Sequence, residues 1–251
     1  MIFLQRTFTS LVHAHAGRTQ SRQLGWHKAT PLRYAALCRR LREALGMPEM
    51  DKPISNIQRR EFDELTWVDP RQVLINFRHM ELNLPENIDP KVRRMRTNNL
   101  KEWREARDAV LFAYGMSKVL KTQIAVAKSE KSDYDFVMRW IKNEKEYFLP
   151  VQLKELPPDD LNSRVYIEQI FKKLKKYHGP DNLLVAIKIN RELKAFDLNS
   201  YDNKDKLNIS ELWYFGCTNP DQSEWFLCGS ILESNPIFHK YLYPEGEQNY
   251  A

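Results

Sequence analysis

Residues 132–156 read SDYDFVMRW, IKNEKE, YFLPVQLKEL, and the fold turns on how this stretch is taken. In the first run Asp133, Asp135, Val137 and Arg139 point one way and Tyr134, Phe136, Met138 and Trp140 the other. In the last run Val151 and Leu153 share one face and Gln152 and Lys154 the other, because side chains two apart on a strand lie on the same side. Asn143 and its charged neighbours make the turn between them, so the stretch predicts a β-hairpin. One acid, Asp135, and an amide–ammonium pair, Gln152 and Lys154, can then meet on its polar face.

Working outward, Lys91–Thr122 predicts a helix, with Leu100, Trp103, Val110, Leu111, Tyr114 and Leu120 at three- and four-residue steps. Glu102, Glu105 and Asp108 fall near one side of it, where a carboxylate can be presented to the sheet or can pair with Arg104 and Arg107. Gln123–Lys128 is a short strand before the hairpin. Pro157 and Pro158 end the hairpin, since proline cannot continue a ladder. A helix capped by Asp160 or Asn162 is expected to run to Tyr177. Val165, Tyr166, Ile167, Ile170, Phe171, Leu174 and Tyr177 form its apolar side, with a basic stripe of Lys172, Lys173, Lys175 and Lys176. Leu183–Ile189 is apolar nearly throughout, as a strand covered on both faces is. Glu211–Cys217 and Glu224–Ser230 are two more strands, and their aromatic residues are read as core. The tail from Asn235 carries no clear element. The layout is mixed α/β, a sheet flanked by helices.

The N-terminal part is different. Residues 1–42 hold no Asp or Glu but carry Arg6, Arg18, Arg22, Lys28, Arg33, Arg39, Arg40 and Arg42. That composition suits a mitochondrial transit peptide. It equally suits a stretch translated from a misplaced start upstream of Met50, or a basic arm for nucleic acid. Residues 1–49 are accordingly set outside the fold, and 50–251 are read as a single domain. Met50–Pro90 is broken by Pro70, Pro85 and Pro90; Ile57–Trp67 is read as helical and Val73–Phe77 as a strand or buried turn.

Bulk properties bound the function. The chain has 251 residues, 42% of them hydrophobic and 12% aromatic, which is enough for a real core. Charged residues make up 29% and mean hydropathy is -0.61, so a soluble protein is expected. No apolar run approaches the length of a membrane span, and no membrane partner is expected. The net charge of +6 fits an anionic partner, although much of the excess sits at one end. Cys38, Cys217 and Cys228 are too scattered for a disulfide framework or a zinc cage, which favours a reducing compartment. The composition offers no glycine-rich phosphate loop and no nucleophile elbow.

The order helix, strand, hairpin, helix, strand, with Asp135 at the start of one hairpin strand and Gln152-Leu153-Lys154 on the next, resembles the PD-(D/E)XK nuclease superfamily. The resemblance implies a restriction-endonuclease-like core over roughly residues 101–230, behind an N-terminal extension. It also implies phosphodiester hydrolysis in DNA with Mg2+ or Mn2+. Asp135, with Asp133 as competitor, maps onto the metal-binding acid, Gln152 and Lys154 onto the acid-x-Lys motif, and Glu105 onto the helix acid. Asp135, Glu105 and Gln152 would then hold the ion, and Lys154 would position the attacking water or stabilise developing charge. The departure is Gln152, where the family has Asp or Glu; an amide oxygen brings no charge and holds the ion more weakly. A non-cleaving nucleic-acid-binding or structural module of the same fold is therefore the alternative. Lys172, Lys173, Lys175 and Lys176 are the expected phosphate contacts, salt-sensitive and blind to sequence. The expected location is the bacterial cytoplasm, or the mitochondrial matrix if residues 1–49 are a transit peptide. A homodimer is compatible with this reading.

Overall fold

The computed structural model describes residues 62–129, 134–175, 183–191, 207–232 and 235–245. Leu65–Glu192 and Leu198–Ala251 form one unit; Phe62–Glu64 belong to another, of which they are the only described residues. The basic leader and residues 57–61 lie outside the described residues; of the rest of Ile57–Trp67, only Phe62 and Asp63 are helical.

The elements in chain order are α1 (Pro70–Leu82), α2 (Pro90–Arg93), a 3-10 turn (Asn98–Leu100), α3 (Lys101–Leu120), β1 (Ala125–Lys128), β2 (Phe136–Lys142), β3 (Lys145–Leu156), α4 (Asp159–Asn162), α5 (Ile167–Leu174), β4 (Leu184–Ile189), β5 (Glu211–Cys217), β6 (Glu224–Gly229) and β7 (Ile237–Leu242). The strands form one mixed sheet of seven in sequence order, β1-β2-β3-β4-β5-β6-β7. β3, β4 and β5 are parallel; the other neighbouring pairs are antiparallel. The mixed α/β class read from the sequence is therefore the one observed.

Four local readings differ. The helix read over Lys91–Thr122 is broken: α2 ends at Arg93, Met95 takes a left-handed φ of 52°, and α3 begins only at Lys101. Val73–Phe77 is not a strand or a turn but the middle of α1. Asp69 accepts a hydrogen bond from Arg71 N at 2.9 Å and Pro70 occupies the first helical position, a start signal that outweighs the β-branched Val73 and Ile75. The helix after the hairpin does not run from Asp160. Asn162 Oδ1 accepts from Arg164 N at 3.2 Å, a local turn that ends α4, and the chain is extended at Tyr166 before α5 begins. Ile167, Ile170, Phe171 and Leu174 form the buried side as read, whereas Tyr166 is 59% exposed. The tail, read as featureless, supplies β7.

Register assigns each strand residue to one of two faces. On one lie Val151, Leu153 and Glu155 of β3, Lys188 of β4, Phe215 of β5, Leu227 of β6 and Tyr241 of β7. Helix α3 covers this face. Phe112 meets Phe215 edge-on at 5.4 Å, and Tyr241 donates its hydroxyl hydrogen to Leu111 O at 2.9 Å. Gly115 permits the approach, since a Cβ there would sit 2.6 Å from the Tyr241 ring and 2.7 Å from Leu227 Cδ1. Helix α1 packs beside α3 and accepts the Tyr243 hydroxyl at Leu74 O, 2.9 Å away. The other face carries Asp135, Gln152, Lys154, Val185, Ile187, Tyr214 and Cys228. Helix α5 packs against β3, and burying each of its four apolar side chains contributes about 1.5–3 kcal/mol. Val185, Ile187 and Tyr214 are closed off from solvent, and the desolvated Tyr214 hydroxyl is driven far above its ordinary pKa, with Cys228 and Glu168 adding to the shift.

Candidate functional site

The hairpin turn is two residues long. Asn143 has φ 51° and Glu144 φ 62°, both left-handed, which matches the twist of the strands it joins. That turn sets the register Lys142↔Lys145 through Phe136↔Val151. One residue before β2, Asp135 N still donates to Val151 O at 2.9 Å, so Asp135 comes to lie opposite Gln152. Its Oδ2 accepts from Leu153 N at 2.6 Å and from the Gln152 side-chain Nε2. Gln152 is 5% exposed and Asp135 is exposed, so the pair joins a buried amide to a carboxylate at the surface. Lys154, half-buried, stands two residues further along the same face. The structure thus brings Asp135 and Gln152 into contact, with Lys154 on their side of the sheet. Asp133 lies outside the described residues.

Glu105 is not brought to this group. It is exposed, lies 3.6 Å from Lys101 one turn earlier, and belongs to the helix that covers the opposite face. The reason is the strand period of two: the residues of β3 that meet α3 are 151, 153 and 155, while 152 and 154 turn away from it. Glu102, nearby, lies 3.6 Å from Lys128.

The carboxylate that α3 does deliver to the sheet is Asp108, which accepts from Lys188 Nζ at 2.6 Å with both groups buried. Glu155 stands beside Lys188 in register and takes both Arg96 guanidinium nitrogens, at 2.6 and 3.0 Å, and the Asn190 amide at 2.6 Å. Burial pushes the Glu155 carboxyl up. The Arg96 hydrogen bonds, the charges of Lys188 and Arg96 and the Asn190 amide together outweigh it and hold the carboxyl below its ordinary pKa. Arg104 and Arg107 do not pair with acids of their own helix: Arg104 donates to Met95 O at 3.1 Å, and Arg107 lies 3.0 Å from Glu81. This network was not read from the sequence. Its one signal is the lysine inside the apolar run LLVAIKI, a charge that needs a partner wherever the strand is central.

Lys172 and Lys173 on α5 and Lys175 just past its end are all exposed; Lys176 lies outside the described residues. As a place for a divalent cation, the sheet group offers one surface carboxylate and one amide. Among the described residues no three His, Cys, Asp or Glu side chains gather to hold a metal ion. Magnesium keeps several of its waters and takes one or two carboxylates together with substrate phosphates. Asp135 Oδ1 accepts no hydrogen bond among the described residues, which leaves that oxygen for an ion. Asp135, with Gln152 beside it, can serve as one carboxylate ligand of a hard cation.

No family model, no curated protein and no solved structure matches this chain. Among the described residues, no helix is long and apolar enough to cross a membrane.

Proposed function

We propose that the protein is a metal-dependent phosphodiester hydrolase of the PD-(D/E)XK type acting on DNA, built on a restriction-endonuclease-like core of α3, β1, β2, β3, α5 and β4. The observation that carries this reading is the contact between Asp135 and Gln152, with Lys154 on the same sheet face. Among the described residues Asp135 would supply the formal charge that holds the ion, and the Gln152 carbonyl oxygen would supply a neutral second ligand on turnover of its amide, whose nitrogen donates to Asp135 Oδ2 and Leu153 O. A bound magnesium ion supplies charge stabilisation on the phosphate and a readied water. Lys154 places an ammonium where negative charge develops on the phosphate. Glu105 is not part of the set, so among the described residues the site has a single carboxylate, and substrate phosphates would complete it.

The test is nicking of supercoiled plasmid with magnesium or manganese titrated in. Cutting is expected to stop in chelator and to fall about 100-fold or more in Lys154→Ala, the scale of losing one charge-stabilising donor. Metal-independent cutting, or full cutting by Lys154→Ala, overturns the reading. A second reading, a DNA-binding module that does not cleave, is favoured by the two N–H donors that already occupy Asp135 Oδ2 and by the missing charge at position 152. It predicts salt-sensitive retention of DNA that Lys154→Ala barely changes.

A further inference from the structure

The described lysines of this stripe, Lys172, Lys173 and Lys175, need not act alike. In α5 the buried residues Ile167, Ile170, Phe171 and Leu174 define the side turned to the sheet. At 3.6 residues per turn, Glu168, Lys172 and Lys175 fall on one flank of that side, and Gln169 and Lys173 on the other. A general rule and one observation say which flank faces which strands. The crossover β3–α5–β4 joins parallel neighbours, and such crossovers are right-handed as a rule, which turns the flank of Glu168 toward β4 and β5. Independently, Glu168 interacts electrostatically with Tyr214, which lies on β5. The flank of Gln169 and Lys173 therefore faces β3 and β2. Asp135, Gln152 and Lys154 lie there, on the same sheet face as α5.

The chain direction adds height to this. α5 follows β3 through residues 157–166 and leads into β4, parallel to β3, so its first turn lies near the end of β3 and Lys173, six residues or about 9 Å on, comes back toward the level of Lys154. Lys172 and Lys175 look away from the group, across β4 and β5.

We infer that Lys173, alone among the described lysines of α5, is the backbone-phosphate contact of the Asp135–Gln152–Lys154 site, holding a DNA strand that crosses the sheet face between α5 and the start of β2. Lys172 and Lys175 belong to a solvated flank. This inference rests on the proposed function and names how that site grips its substrate.

The experiment compares Lys173→Glu with the double variant Lys172→Glu/Lys175→Glu, both exposed positions whose change leaves the core untouched. Binding to a short fluorescent duplex is measured in chelator, so that no cleavage enters, over a series of salt concentrations; nicking is measured in parallel with magnesium. Lys173→Glu is expected to weaken binding at least 10-fold, to lower the salt slope by about one, and to reduce nicking at subsaturating DNA. The double variant is expected to stay within about 3-fold of wild type in both. If the double variant loses more than Lys173→Glu, or the three are alike, the assignment of Lys173 is overturned while hydrolysis by wild type stands. If wild type neither binds nor cuts DNA, the functional reading falls first and the assignment with it.

Discussion

The residue with the plainest physical task is Glu155. Its folded carboxyl lies below the ordinary value of 4.5, so the stability it contributes is fully present above pH 4.5 and is lost as pH falls through the folded pKa. Glu155→Gln should therefore unfold more easily than wild type at pH 7, by about 1.5–3 kcal/mol for hydrogen bonds to a charged group, and the gap should narrow below pH 4.5. Urea unfolding at pH 7 and pH 3.5 checks this; a gap that is equal at both, or wider in acid, counts against it. Glu155 also marks what the sequence could disclose. That residues 152 and 154 share a face and 155 turns from it follows from strand period alone. That Asp108 rather than Glu105 reaches the sheet does not, because both lie on the same side of a helix and only the position of β4 beneath α3 selects between them. Gln152 was legible as a departure from the acid-x-Lys pattern; that its amide would be buried against Asp135 was not.

Among the elements, the hairpin was the most readable, since alternation on both strands and an Asn in the turn all agree. Only its tightness was hidden. Glu144 takes a left-handed φ of 62°, a conformation that costs an ordinary side chain about 1 kcal/mol and glycine almost nothing. Glu144→Gly should thus raise the unfolding midpoint, with a gain of a few tenths to about 1 kcal/mol, readable by thermal melting; a clear loss would mean that the Glu144 side chain has a structural task. β7 escaped notice for the opposite reason. Its residues alternate, but Phe238, Lys240 and Leu242 on one side are all exposed, and a half-wet edge strand shows little contrast between its two faces. α5 was read too long because Asp160 and Asn162 look like helix caps, and nothing local reveals that Asn162 instead closes a turn ahead of Arg164.

For the molecule as a whole, two long-range fits hold α3 to the sheet. The first is the Lys188–Asp108 pair, 80 residues apart in the chain and nearly closed to solvent. Lys188→Ala strands a buried carboxylate and should cost about 3–5 kcal/mol, whereas Lys188→Met combined with Asp108→Leu should recover most of it; denaturant midpoints of the two variants decide this. The second is the close approach at Gly115, where a larger residue must push Tyr241 and Leu227 aside. Gly115→Val is accordingly expected to lower the melting temperature by several degrees. Neither fit touches the opposite face, so both sets of variants should change stability while the folded protein keeps its site. The central claim is that Asp135, Gln152 and Lys154 serve one metal-dependent cleavage site. It is tested most directly by magnesium-titrated nicking of supercoiled plasmid with wild type and Asp135→Asn side by side. Wild-type cutting that rises with magnesium and is lost in Asp135→Asn at every concentration is the predicted result; equal cutting by the two proteins, or none by either at any magnesium concentration, contradicts it.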